Sequence, residues 1–153
     1  MSYIYYNPNP SGKRTGDCVI RAIASAMQKD WDTVYDDLYK IGKKYKLMPN
    51  DEHCFERYLK DNGWVRQKQP RKLDNTKYTG KEFCDWLNGN KKDRKPVIVS
   101  IGCHHLSMIE WNSIAGYAIC DSWDCSNNKI VIFFTIFKKM VNFLFFLLNH
   151  FLI

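Results

Sequence analysis

Cys18 has the sequence environment of a reactive thiol. It follows Gly16-Asp17, and apolar residues follow it at helical spacing over 20–27, which predicts an amphipathic helix beginning here. Asp17 is a favoured N-cap, because its carboxylate can accept from the first-turn amides. Those amides and the helix dipole favour a thiolate, the form of cysteine that attacks carbonyl groups. The alternative is a small buried cysteine without chemistry, the usual role of this residue.

A base and a carboxylate that could activate this thiol lie in the second half of the chain. His105 directly precedes an apolar strand predicted over 106–110, and Asp121 follows one predicted over 114–120. If these strands pair antiparallel, the start of the first lies beside the end of the second. A histidine there would take the thiol proton, and the aspartate would hold the imidazole in the required tautomer.

A neighbouring residue is the alternative for each of these two roles. His104 points to the opposite face of an extended chain from His105, and a shift of one residue in register would exchange them. Asp124 is the alternative to Asp121, but it precedes a turn that it could cap. We therefore predict His105 and Asp121.

The N-terminal segment could complete an oxyanion site. The backbone amide of the nucleophile is one donor in such sites, and a side-chain amide is often the second. Asn9 is the candidate for this second donor, although turn formation is the other role its sequence position favours.

A zinc site is a weaker interpretation of the same region, and no metal or other cofactor is expected. The spacings of the available ligands match no common zinc pattern, and Cys120 should alternate with Asp121 across the sheet. The ligand types that would serve zinc are present at Cys103, His104, His105, Cys120 and Cys125.

Helices fill the first half of the chain and strands fill the second half. Because the two kinds of element are segregated, we predict an α+β fold with N-terminal helices packed on a C-terminal antiparallel sheet. A capping box at 79–82 opens the last helix. The predicted helices cover about 17–28, 32–45, 50–63 and 79–88, a loop covers 67–77, and the strands cover 97–101, 106–110, 114–120 and 129–137.

Composition limits the classes of protein that this chain can represent. Its 153 residues suit one domain with a single core. Six cysteines without a CxxC pair, after a polar N-terminus that is no signal peptide, predict free thiols in the cytoplasm. The net charge of +7 permits nucleic-acid binding, but no nucleic-acid-binding motif accompanies the basic clusters, so a solvated surface is favoured.

The composition changes sharply near the C-terminus. We assign residues 1–137 to the catalytic domain and the largely apolar residues 138–153 to a peripheral tail. A spanning helix needs about twenty apolar residues, so the tail is too short to cross a membrane alone. A packed helix, a membrane-surface anchor and an aberrant terminus remain the alternatives for it.

The order of these features resembles that of the papain-like cysteine peptidases. A cysteine opens a helix, a histidine leads a strand, and an aspartate ends the next strand. The chain looks most similar to compact bacterial and phage members and to the double-glycine leader peptidases. Its segments RTGDCVIRAIA, HLSMI and DSWDCS resemble small proteins of Firmicutes phages and mobile elements. The resemblance implies Cys18 as nucleophile, His105 as base and Asp121 as the orienting group. Papain-like enzymes usually carry a glutamine about six residues before the cysteine, where this chain has Gly12.

Two functions follow as hypotheses. The first is a thiol hydrolase that cleaves an amide bond in a peptide or protein substrate through a Cys-His-Asp triad. The second is a catalytically inactive binding protein of the same fold, which would act on a host factor or on nucleic acid. The sequence does not indicate an oligomeric state.

Overall fold

The structure is a computed structural model that describes residues 2–13, 15–102 and 104–136. The tail predicted over 138–153, and Cys103 of the zinc interpretation, lie outside the described residues. In chain order the elements are β1 (Tyr3–Tyr5), α1 (Cys18–Met27), α2 (Trp31–Tyr45), α3 (Glu52–Asp61), β2 (Trp64–Gln67), α4 (Gly80–Asn90), β3 (Val97–Ile101), β4 (His105–Asn112), β5 (Gly116–Asp121) and β6 (Ile130–Ile136).

The six strands form one sheet in the order β1-β5-β4-β3-β6-β2. The predicted α+β class is confirmed, but the prediction of an antiparallel sheet built from the C-terminal half is wrong in two respects. The edge strand β1 pairs parallel with β5, which the long stretch of chain between them permits. The other edge strand, β2, comes from the helical half and pairs antiparallel with β6.

Helices cover both faces of this sheet. Helices α1, α2 and α3 pack on the face that presents Ile98, Met108 and Phe134. Helix α4 packs on the opposite face, against Val97 and Val99 among others. Successive residues of β3 therefore point into different halves of the core, which explains why apolar residues occupy both faces of this strand, interrupted only by Ser100.

The first turn of α4 holds the loop after β5 in place through a backbone hydrogen bond. The predicted capping box is confirmed: the Thr79 hydroxyl accepts from the Glu82 amide at 3.2 Å, and the Thr79 amide donates to the Glu82 carboxylate at 2.8 Å. The Lys81 amide then donates to the Ser126 carbonyl at 2.8 Å. A Cβ at Gly80 would collide with side chains of β3 and β5, so glycine allows this close approach.

Within the described residues, none of the four helices has both the length and the apolar character that crossing a membrane requires.

Candidate active site

Cys18 is the first residue of α1 and is half-buried. Asp17 occupies the N-cap position as predicted, but its side chain makes no capping hydrogen bond, so the predicted role of its carboxylate is wrong. That carboxylate instead accepts from Arg21 at 2.6 Å, and from two groups outside α1, Asn9 Nδ2 at 2.8 Å and Trp31 Nε1 at 3.0 Å. The first-turn amides beside the thiol are therefore not occupied by the Asp17 side chain.

His105 and Asp121 form a short hydrogen-bonded pair at the ends of β4 and β5. His105 Nε2 lies 2.6 Å from Asp121 Oδ2, and the aspartate side chain is only 4% exposed. In the register of the two strands Met108 lies opposite Cys120. One further step places Ser107 opposite Asp121, which makes His105 its diagonal neighbour on the same face of the sheet. The structure thus brings together the histidine and the aspartate that the sequence singled out.

Cys18 lies beside this pair: it lines a small cavity together with Asp121, and the His105 imidazole is close enough to lower the pKa of its thiol. Since Asp121 engages Nε2 of the imidazole, Nδ1 is the ring nitrogen left for the thiol. Burial raises the pKa of Cys18. The hydrogen bonds from His105 and from the Leu106 amide, with the charges of His105 and Arg21, outweigh that effect and hold this pKa below its ordinary value of 9.0.

The histidine shifts in the opposite direction. Burial alone lowers the pKa of His105, but hydrogen bonds to Asp121, Cys125 and Cys18 raise it to about 11. Burial raises the pKa of Asp121, and hydrogen bonds from His105 and Ser107 bring it below its usual range. A charged imidazole beside a carboxylate is therefore the favoured state of the His–Asp pair at neutral pH, and it stabilises the thiolate form of Cys18 relative to that of an isolated cysteine.

Arg21 is a buried cation beside the triad that the sequence analysis missed. It lies on α1 one turn after Cys18, and its guanidinium pairs with Asp17 at 2.6 Å and lies 3.6 Å from Asp121 Oδ1. Its Nε atom is buried without a hydrogen-bond partner in the described part of the chain. The four-residue spacing of Asp17 and Arg21 was the available clue, but such pairs are usually on an exposed helical face.

Two more residues contact the His–Asp pair. The buried Cys125 lies with its sulfur 3.9 Å from Asp121 Oδ2 and within 4.8 Å of a ring nitrogen of His105. The ring of Trp123 lies 5.1 Å from that of His105, centroid to centroid, and is partly exposed. Both residues follow β5 in a loop that carries no periodic pattern. Cys125 was considered in the sequence only as a zinc ligand, and for Trp123 proximity to Asp121 was the available signal.

Asn9 lies next to the site but is tied to the helix cap. It is buried, its Nδ2 donates to Asp17, and its Oδ1 accepts from the amide and hydroxyl of Ser11. The hydrogen bond to Asp17 uses one of the two hydrogens on Asn9 Nδ2, so the other hydrogen is the one that could donate to an oxyanion.

A metal ion could be held only by rearranging the pair. Among the described residues, ligand atoms of His105, Asp121 and Cys125 all lie within 4.8 Å of one another. Tetrahedral zinc ligands at about 2.0–2.2 Å from the ion lie about 3.3 Å apart. The 2.6 Å separation of His105 and Asp121 is instead that of a charge-assisted hydrogen bond. Within the described chain, His104 and Cys120 do not join this group, contrary to the zinc interpretation.

No family model matches the chain, and no curated protein or solved structure matches it. What this site does is therefore inferred from its own geometry.

Replacing Arg21 with methionine should destabilise the fold by about 3 kcal/mol, because removing one partner of a buried ion pair leaves the other charge poorly compensated. Urea unfolding of the purified protein measures this change. Lys40→Met is the matched control, since Lys40 forms an exposed pair with Asp37 at 3.4 Å and should change stability by less than about 1 kcal/mol. Equal effects of the two substitutions would contradict a structural role for the buried pair.

Proposed function

We propose that this protein is a thiol hydrolase that cleaves amide bonds through Cys18, His105 and Asp121. One observation carries the proposal: Asp121 holds His105 Nε2 at 2.6 Å, and Cys18 at the start of α1 lies close enough to this imidazole for the pKa of its thiol to be lowered. This is the arrangement of nucleophile, base and orienting group that acyl transfer requires. The papain-like fold assignment is part of this proposal, supported by a cysteine helix packed against the strands that bear histidine and aspartate.

Each side chain has a defined step in this reaction. The Cys18 thiolate attacks the substrate carbonyl carbon, and its electron pair forms the carbon–sulfur bond while the carbonyl oxygen takes the negative charge. The tetrahedral intermediate collapses when the His105 imidazolium gives its proton to the departing amine, leaving a thioester. Neutral His105 then takes a proton from water, whose oxygen attacks the thioester. Collapse releases the acid, regenerating the thiolate and the imidazolium.

The start of α1 supports the oxyanion step. The Cys18 backbone amide belongs to the first turn, and the Asp17 side chain does not cap that turn. An oxyanion formed beside the sulfur would find amide hydrogen atoms and the positive end of the helix dipole. The Asn9 amide, fixed by its hydrogen bond to Asp17, is the side chain we assign as a second donor.

We place the protein in the cytoplasm, with a peptide or protein as its substrate. The described cysteines are all free thiols, in agreement with a reducing compartment. A nucleophilic cysteine also needs such a compartment to stay reduced. Nucleic-acid binding and a membrane contact through the tail are not needed to explain the site.

The experiment is residue-resolved alkylation with iodoacetamide across the pH range, read by mass spectrometry. Because its pKa is lowered, Cys18 should reach half its maximal alkylation rate below pH 9. Burial raises the pKa of Cys120 to about 11 and that of Cys84 to about 12, so these two thiols should react more slowly. In His105→Ala the hydrogen bond and charge that stabilise the thiolate are lost, so the Cys18 midpoint should move toward alkaline pH.

The exposed His53 on α3 provides the matched control, and His53→Ala should leave the Cys18 profile unchanged. If Cys18 reacts with the same pH profile as the other thiols, the hydrolase is rejected. A binding protein of the same fold would then be the better hypothesis.

A further inference from the structure

A groove runs along both sides of the first turn of α1. Its larger part, about 300 Å³, lies between that turn, α2 and the turn at 48–50. Its smaller part, about 110 Å³, lies between α1, α3 and the start of β4, where it includes His105. Val19 and Asn50 line both parts, so the two parts meet at these residues, and Val19 follows Cys18 in the first turn of α1. We call the whole depression the α1 groove and its larger part the apolar end.

The apolar end exposes large side chains that a protein normally buries. Met48 is 69% exposed and Tyr35 is 41% exposed, and both line it. The Tyr35 ring stacks on Trp31 with centroids 5.2 Å apart and planes only 11° from parallel. This stacking and the helix hold Tyr35 in place, so an entering side chain would meet a preformed apolar wall. Contiguous exposed apolar surface in a concave site is typical of ligand-binding regions.

The charges of the groove agree with an apolar ligand. The chain carries a net charge of +7, yet among the residues that the structure describes no lysine or arginine lines either part. At the apolar end the acidic group is Asp17, which Arg21 neutralises. In the smaller part it is Glu52, which Arg66 pairs at 3.0 Å. A charged side chain in the apolar end would lose hydration without gaining a partner.

We propose that the α1 groove binds an extended peptide segment of the substrate, and that its apolar end receives an aromatic or long aliphatic side chain close to the scissile bond. Tyr35 and Met48 are the specificity-determining residues. This inference rests on the proposed function for the identity of the occupant, since the groove includes the imidazole that would act on the peptide. A single large side chain fits a depression of this volume.

The test measures peptide binding in Cys18→Ala, which holds a substrate without cleaving it. The probes are ten-residue glycine–serine peptide amides that differ only at one central residue, which is phenylalanine, leucine, glycine or aspartate. Chemical-shift titration by NMR gives each dissociation constant. The phenylalanine and leucine peptides should bind about 10- to 100-fold more tightly than the glycine and aspartate peptides, as expected for burial of one large apolar side chain.

Two further substitutions locate the binding. In the Cys18→Ala background, Tyr35→Ala and Met48→Ala should each weaken the phenylalanine peptide about threefold to tenfold and leave the glycine peptide unchanged. Leu73→Ala is the control, because Leu73 is fully exposed and lines neither part of the groove. Equal affinity for all four peptides, or an equal effect of Leu73→Ala, would overturn the inference.

The outcome of this titration is independent of the proposed function, because peptide binding to Cys18→Ala requires no turnover. A Cys18 without elevated reactivity would reject the hydrolase while the titration still decides whether the groove binds apolar peptides. A reactive Cys18 with no peptide preference would keep the hydrolase and reject the specificity of the groove.

Discussion

Replacing Cys18 with alanine should lower the rate of peptide hydrolysis by at least about 10³-fold, because the substitution removes the atom that forms the thioester. Binding contacts and the amides of the first turn remain, so the loss should appear in kcat, with little change in substrate affinity. The measurement is steady-state cleavage of a peptide substrate, with mass spectrometry of the reaction to detect the acyl-enzyme on the wild-type protein alone.

Cys54→Ser is the matched control for this substitution. Cys54 is fully buried on α3 and its thiol donates to the Leu38 carbonyl at 3.4 Å, a hydrogen bond that a serine hydroxyl can keep. It should retain near wild-type activity. Hydrolysis that survives in Cys18→Ala but not in Cys54→Ser would show that the wrong thiol has been assigned.

Removing the Asp121 carboxylate should produce the second large effect. In Asp121→Ala the hydrogen bond at 2.6 Å is lost, so the imidazole loses both its orientation and the group that most raises its pKa toward about 11. Neutral His105 no longer stabilises the thiolate, and the pKa of Cys18 should rise. We expect kcat/KM at pH 7 to fall about 10²- to 10⁴-fold, with the acid limb of the pH–rate profile displaced toward alkaline pH.

Asp121→Asn separates the two roles of this residue. An asparagine can accept from the imidazole and keep its orientation, but it carries no charge. If orientation dominates, activity should recover toward wild type while the alkylation midpoint of Cys18 stays displaced. If the charge dominates, the activity should stay low and the alkylation midpoint of Cys18 should stay displaced. A pH profile identical to wild type in Asp121→Ala would contradict the coupling described here.

Asp124→Ala is the control for both variants. Asp124 is the neighbouring carboxylate that the sequence left as an alternative, and in the structure its Oδ1 accepts from the Ser126 amide in the turn after β5. Its removal should leave the pH profile in place. Circular dichroism of each variant checks that a lost rate does not reflect a lost fold, which matters because Asp121 also lies beside the buried Arg21.

Local patterns were sufficient to predict that His105 and Asp121 lie together and that Cys18 opens a helix, because each of these residues stands at the end of a regular element. The alternation of a strand separates His105 from His104, and the apolar period after residue 18 places the cysteine at a helix start. The third helix was predicted over 50–63, whereas Asp51 is its N-cap and the helix covers Glu52–Asp61, a difference of about two residues at each end that is common for helix boundaries.

The parts that sequence did not reveal depend on contacts between distant residues. The burial of Arg21 and the position of the Asp17 carboxylate follow from groups far along the chain, among them Trp31 and Asp121. The parallel pairing of β1 has the same origin, since a three-residue strand has no period that identifies its neighbour. Charged residues on a helix are ordinarily exposed, so a local pattern favours the wrong environment for Arg21.

The pairing of β1 with β5 bears on how the protein is made. The Tyr3 hydroxyl donates to the Asp121 carbonyl, which lies 118 positions later in the chain. Strand β1 is therefore synthesised long before β5 and cannot pair until β5 has been made. Non-local contacts of this kind form late in folding. A nascent chain therefore exposes Cys18 long before His105 and Asp121 leave the ribosome, and during that interval the sulfur is an ordinary thiol. Because His105 lowers the pKa of Cys18, that lowered pKa is acquired only after His105 has been synthesised and the sheet has formed.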